Sequence, residues 1–376
     1  MDRHRTHLTI IAVIAVLSLS CLGLAANAQG YANLLCDSNG CRTGYADSAG
    51  SVTYHNVRVV AKGGTGDYAD PVAAMSDIAA WCEAPSATNP CLLKIMPGVY
   101  DIGTGTLQMQ QYVDIEGSGE NTTIIQGTLD SGTAGVVNGA SFAEIRLLTI
   151  KSTGAGANKY AMYNNGVSPK VTNVTAIATG SSTSTGTGAR GFSNTGSTLT
   201  MTNVTAEASG TDINVAIVNV SSPSPGATLT NVKATTKPPG GRYSYAIYNV
   251  NAGSLAVMMN VSAEASGASS RNIGIFNAAA SAILTTVTAK GTGSAPASYG
   301  VFSDNGPSPL CPSCTVTIQN SMIMGSTGAI GRVDSSVAIP TRVAGSQLVG
   351  AVTGGNVTCA GVYDEDYVFY ASSCPP

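Results

Sequence analysis

Two near-copies in the chain, "MTNVTAEASG" (201–210) and "MMNVSAEASG" (258–267), each carry one glutamate, Glu207 and Glu264, in segments otherwise poor in charge. A pair of carboxylates is the working equipment of sugar-cleaving chemistry: one protonates the departing oxygen while the other activates water or attacks the ring carbon. A second set of residues could bind rather than cleave. A strip recurs as "YAMYN" (160–164), "RGFSN" (190–194), "VAIVN" (215–219), "YAIYN" (245–249), "IGIFN" (273–277) and "YGVFS" (299–303). Its fourth position holds Tyr163, Tyr248, Phe276 and Phe302, whose rings could stack on sugars. Arg190, with Arg242 and Arg271 beside the same strip, could hold the acidic groups of such a ligand.

Either chemistry needs elements that bring distant residues into register. Aligned on Asn-Val-Thr, the register points are Asn173, Asn203, Asn231, Asn260, Thr286 and Asn320, at intervals of 30, 28, 29, 26 and 34 residues. Two residues before them stand Val171, Met201, Leu229, Met258, Leu284 and Ile318; one after stand Val174, Val204, Val232, Val261, Val287 and Ser321. The recurring strip keeps the same period, with Ala or Gly second and an apolar residue third. Short strands separated by turn residues at a fixed period near 28 predict a β-solenoid. Asparagine tolerates the left-handed backbone region and suits a sharp bend between strands. Asn173, Asn203 and Asn260 also head N-x-[ST] sequons. They read either as glycan acceptors or, the favoured reading, as a stack of asparagines bonding side chain to side chain.

The register tests the glutamates. Their slot holds Ile177, Glu207, Thr235, Glu264 and Lys290, which puts Glu207 and Glu264 two rungs apart, roughly 9–10 Å. That lies near the separation of about 6.5–9.5 Å used by inverting glycosidases. A slot that also accepts Ile, Thr and Lys behaves as solvated surface, with Lys290 a candidate ion partner. Strand alternation turns the third strip position inward and the aromatic fourth position outward; the opposite facing would stack the rings in the core.

Composition bounds the rest. The chain has 376 residues, a net charge of −3 and 10% charged residues, so it offers no basic surface for nucleic acid. "MDRHRTH", the apolar run that follows and "ANA" (26–28) read as an export signal over residues 1–28, with no further run long enough to span a bilayer. Eight cysteines remain after its removal. They are expected to pair in sequence order as Cys36–Cys41, Cys82–Cys91, Cys311–Cys314 and Cys359–Cys374. Cys311-Pro-Ser-Cys314 has no second pair or histidine to complete a zinc site, and His55 is the lone histidine beyond the signal. "GGTG" (63–66) and "GSG" (117–119) read as turns, since neither continues as a phosphate or dinucleotide motif.

The stretches "YAMYNNGVSPKVTNVTA", "IVNVSSPSPGATLTNVKA", "KGGTGDYADPVAAMSDIAAWC", "LLKIMPGVYDI" and "VDIEGSGENTTIIQG" together resemble right-handed parallel β-helix proteins of the pectin-lyase-like superfamily found among exported bacterial proteins. The resemblance spans roughly residues 55–370. It implies an all-β, right-handed parallel β-helix with a short N-terminal capping helix, Asp70 as its N-cap and Pro71 its first residue. It divides residues 29–376 into an N-terminal segment and cap (29–91), rungs (92–335) and a closing segment (336–376). The catalytic motifs of pectin methylesterases and polygalacturonases are absent. Between Lys151 and Met324 the acids are Glu207, Asp212, Glu264 and Asp304, too few for a lyase's calcium site. The expected function is therefore an exported or cell-surface protein, structural or glycan-binding, with no cofactor or metal and no membrane insertion after processing. Its partner would be a polysaccharide or cell-surface glycan. The alternative is a polysaccharide lyase or hydrolase with a divergent site.

Overall fold

The computed structural model describes residues 35–37, 40–42, 54 and 56–376, apart from 182–187, 221–225, 238–240, 251–254, 306–310 and 333–338. The expected export signal (1–28) and His55 lie outside the described residues, as do the side chains of Cys36 and Cys41. Parallel strands stack rung upon rung around one apolar interior, giving the parallel β-helix that the repeat predicts. One sheet is built from strands that bend midway: Glu144–Ser152, Lys170–Thr179, Thr200–Ser209, Thr228–Thr236 and Leu255–Ala265. After these, each rung splits at the bend, as in Ser281–Thr285 and Thr288–Gly291. We call this the corner sheet. The recurring strip forms a separate nine-stranded sheet, the strip sheet, which runs from Leu107–Gln108 through strands such as Asn158–Asn165 and Tyr243–Val250 to Gly328–Arg332.

The corner is made by one residue per rung in the left-handed region. Asn173, Asn203, Asn231, Asn260, Thr286 and Asn320 have φ of 53°, 55°, 55°, 54°, 56° and 48°. Leu147 (57°), Gly345 (56°) and Gly361 (60°) occupy the same column in neighbouring rungs. A left-handed residue costs an ordinary L-side chain about 1–2 kcal/mol, and asparagine offsets part of that with local hydrogen bonds. Here the bonds run between rungs: Asn203 donates to Asn173 at 2.9 Å, Asn231 to Asn203 at 3.0 Å and Asn260 to Asn231 at 2.8 Å.

Around each corner residue the flanking columns face inward. Val171, Met201, Leu229, Met258, Leu284 and Ile318 are fully buried. From the opposite sheet Met162, Phe192, Ile217, Ile247, Ile275 and Val301 meet them. The second strip position also faces the interior, since Ala161 and Ala246 belong to the same core, so alternation breaks between positions two and three. That break explains the Ala/Gly rule. A Cβ at Gly191 would sit 2.6 Å from the Ala216 carbonyl oxygen, and one at Gly274 would sit 2.6 Å from the Lys290 backbone nitrogen.

The fifth strip position carries a second ladder, buried this time. Asn164, Asn194, Asn219, Asn249 and Asn277 are each at most 2% exposed. Each donates to the next, at 2.7, 2.9, 2.9 and 2.8 Å. The Oδ1 of Asn164 and the Nδ2 of Asn277 end the ladder without a protein partner.

The N-terminal helix, Pro71–Ser76, has Asp70 as N-cap, with Oδ1 accepting from the Ala73 amide at 2.8 Å, and Pro71 at its first position. Its Ala74 and Met75, with Trp81 from the short helix Ile78–Trp81, pack onto the first rungs. Disulfides join Cys82–Cys91, Cys311–Cys314 and Cys359–Cys374. Among the described residues no helix is long and apolar enough to cross a membrane.

Candidate functional site

The strip sheet turns its fourth position outward, away from the core. Val218, Phe276 and Phe302 join Tyr245 and Ile273 in a second apolar cluster, with Tyr243, Tyr248 and Tyr299 packed on it. Tyr248 and Phe276 stack at 4.9 Å and 12°, Tyr245 and Tyr248 lie 5.2 Å apart, and Phe302 meets Phe276 edge-on at 5.4 Å. The expectation of an open row of rings is corrected here. Phe276 and Phe302 are only 5% exposed, and Tyr163 and Tyr248 are half-buried. The reason is spacing: rungs repeat at about 4.8 Å, little more than ring thickness plus van der Waals contact, so neighbouring rings cover one another's faces.

The first strip position, and the residue two places before it, point outward as well. They bring Tyr243, Tyr245 and Tyr299 onto this face, together with its cations. Arg190 lies 4.9 Å over the Tyr160 ring and also donates to Ser193 Oγ at 3.3 Å. Arg242 lies 4.6 Å and Arg271 5.8 Å over Tyr243. Burial pushes the Tyr245 phenol up to about 12 and raises that of Tyr248. Both therefore stay protonated at neutral pH and can donate hydrogen bonds. The face offers ring edges, phenol hydroxyls and guanidinium groups, a set suited to carboxylated sugars.

Glu207 and Glu264 do occupy one slot. The pairing runs Ile177, Glu207, Thr235, Glu264, Lys290 through successive rungs. Glu207 accepts from Lys237 at 2.6 Å in a partly exposed ion pair, while Lys290 is the in-register neighbour of Glu264. A surface pair of this kind contributes at most about 1 kcal/mol. The double variant Glu207→Ala/Glu264→Ala should accordingly unfold in urea within about 1 kcal/mol of the parent. A loss well above that, or the disappearance of a polysaccharide-cleaving activity, would give these carboxylates a role they lack in this reading.

A denser cluster lies on the outer face of the corner sheet near its start. Arg146 donates from Nε to Glu116 at 2.8 Å, from Nη1 to Glu144 at 3.1 Å and Asp114 at 3.4 Å, and from Nη2 to the Tyr54 hydroxyl at 3.1 Å. The Tyr54 hydroxyl donates to Asp114 at 2.5 Å, Lys94 to Glu116 at 2.6 Å, and Lys170 pairs with Glu144 at 3.3 Å. Burial raises the Asp114 carboxyl above the usual carboxylate range despite its bonds from Tyr54, the Glu144 amide and Arg146. Burial and the Asp114 charge push the Tyr54 phenol up. Burial pulls the Arg146 guanidinium down, but Tyr54, Glu116 and Glu144 leave it above its ordinary value. Three carboxylates facing three cations leave no spare charge, so the cluster reads as a fastener between rungs. Among the described residues no group of three or more His, Cys, Asp or Glu is placed to hold a metal ion.

No family profile and no curated protein matches the chain. Solved structures do. The A-module of Azotobacter vinelandii mannuronan C-5 epimerase AlgE4 aligns at 15% identity over 77% of this chain and 74% of that one, with a TM-score of 0.49. A pectin methylesterase variant in complex with a hexasaccharide aligns at 14% identity over 82% and 93%, with a TM-score of 0.44. The catalytic domain of an α-1,3-glucanase in complex with tetrasaccharides aligns at 12% identity over 81% and 64%, with a TM-score of 0.41. At such identities no activity transfers from them to this chain.

Proposed function

We propose that residues 29–376 form one exported carbohydrate-binding β-helix, which holds acidic glycans on the outer face of its strip sheet and has no catalytic centre of its own. The observation that carries this reading is the alignment of aromatic rings at the rung repeat with three guanidinium groups laid over them, at Arg190, Arg242 and Arg271. Export accords with the signal-like N-terminus and with the disulfides Cys82–Cys91, Cys311–Cys314 and Cys359–Cys374. A lyase or hydrolase reading would use Glu207 and Glu264, and the ion pair from Lys237 to Glu207 weighs against a free acid–base couple there.

A glycan array of uronate oligosaccharides tests the reading. Tyr248→Ala and Arg190→Ala should each weaken wild-type binding by about tenfold, the effect of losing roughly 1.4 kcal/mol of contact. Profiles identical to wild type would sink the strip-sheet site. Turnover of polygalacturonate by the purified protein would replace it with the enzymatic reading.

A further inference from the structure

The left-handed corner makes the solenoid concave on its outside. Past Asn231, Asn260, Thr286, Asn320 and Gly345 runs a groove of about 670 Å³, parallel to the axis. One wall is the column two residues beyond the bend: Lys233, Ser262, Thr288, Met322, Gln347 and Tyr363, paired in register. Five rung spacings separate Lys233 from Tyr363, about 24 Å, the length of a short extended oligosaccharide.

The groove changes character along this line. Hydroxyl and carboxamide groups line its middle, Met322 is 38% exposed, and the far end is aromatic, with Tyr363 41% exposed. The corner loses its side chains at that end, where Gly345 and Gly361 replace asparagine. A Cβ at Gly345 would meet Asn320 Oδ1 at 2.8 Å, so the Asn320 carboxamide, which also lines the groove, takes up the space that a side chain at Gly345 would fill. The closing hairpin, Val362–Tyr363 paired with Phe369–Tyr370, sets the Phe369 ring 5.2 Å from Tyr363 and leaves Phe369 56% exposed. These rings keep open surface, unlike the mutually covered rings of the strip sheet. The turn of the hairpin carries Asp364, Glu365 and Asp366, which oppose an anionic ligand at the aromatic end.

We propose that this groove is a glycan site for an uncharged oligosaccharide laid along the solenoid axis. One sugar stacks on Tyr363, and the hydroxyls of the others bond Asn, Ser, Thr and Gln groups of successive rungs. It does not rest on the strip-sheet reading, since it uses a different face and the opposite charge preference.

The test is titration calorimetry of the full chain with cellohexaose, mannohexaose and xylohexaose, and with hexagalacturonate as the charged comparison. At least one uncharged hexasaccharide should bind. Tyr363→Ala, which removes the stacking ring, and Thr288→Trp, which fills the groove midway, should each weaken it by about tenfold or more, while Tyr248→Ala leaves it unchanged. The site is overturned if none of the three binds at millimolar concentration, if binding survives both groove variants, or if hexagalacturonate alone binds. A dimer in sedimentation that Tyr363→Ala dissolves would also overturn it, because a second copy would then fill the groove.

Discussion

Replacing Arg146 by methionine should destabilise the fold by about 3–5 kcal/mol, the usual cost of leaving buried charges without their partner. The substitution keeps most of the aliphatic stem, so the loss is chiefly electrostatic. Asp114 and Glu116 would lose the guanidinium that sits between them, and Asp114 would be left with the Tyr54 hydroxyl and the Glu144 amide. Lys170 is too exposed to compensate, with 58% of its side chain open to water.

The pH dependence has a definite sign. The folded pKa of Asp114 is raised, so between the ordinary carboxylate value and that raised value the folded chain holds more protons than the unfolded one. The stability linked to Asp114 is therefore greatest on the acid side and shrinks as pH climbs through the folded value. Without Arg146 the Asp114 carboxyl would lose a charge that holds it down and would rise further, so the deficit should be larger at pH 7 than at pH 4. Urea unfolding of wild type and variant at both values checks this. A loss below about 1 kcal/mol at pH 7, or a deficit that grows toward acid, would show that the cluster does not fasten these rungs.

Asn219→Ala should cost about 3–4 kcal/mol. It strands the Nδ2 of Asn194 and the Oδ1 of Asn249 in the interior, and an unsatisfied buried polar group costs about 1–3 kcal/mol. The corner ladder supplies the control. Asn231 also bonds two neighbours, but it is exposed and left-handed, so water can replace its partners and glycine can take its backbone angle. Asn231→Gly should lose no more than about 1 kcal/mol. Equal losses from the two variants would mean that burial does not separate the ladders.

The two ladders also show what the sequence discloses. The corner was legible because Asn-Val-Thr repeats with apolar residues on both sides at a steady period, and a left-handed bend admits few residue types. The buried ladder was equally periodic, at the fifth position of the strip. It is harder to read because a polar residue beside an outward position suggests a solvated site, whereas these asparagines are buried and satisfied by one another. The covering of the aromatic rings follows from a rung repeat of about 4.8 Å, whereas the set of positions that share the outer face does not, because alternation breaks between strip positions two and three. The Arg146 cluster lies outside the regular repeats, in rungs whose register cannot be counted, and its members come from residues 54 to 170. A local signal was present in "VDIE" and "AEIR": charged residues on either side of a buried isoleucine mark outward pairs on strands that prove adjacent. Its acids, Asp114, Glu116 and Glu144, all precede Lys151 and the charge-poor repeats. Register alone does not pair Lys237 with Glu207, because Lys237 stands two residues beyond the slot that Thr235 fills.

The ladders differ in one more respect. In the interior each asparagine donates toward the C-terminal end, from Asn164 to Asn277, whereas at the corner each donates toward the N-terminal end, from Asn260 to Asn173. Their carboxamide dipoles oppose each other along the axis. Lengthening the solenoid by one rung adds one dipole of each sense, so no axial field accumulates with length. A whole rung added or removed therefore changes both ladders together and leaves their senses opposed.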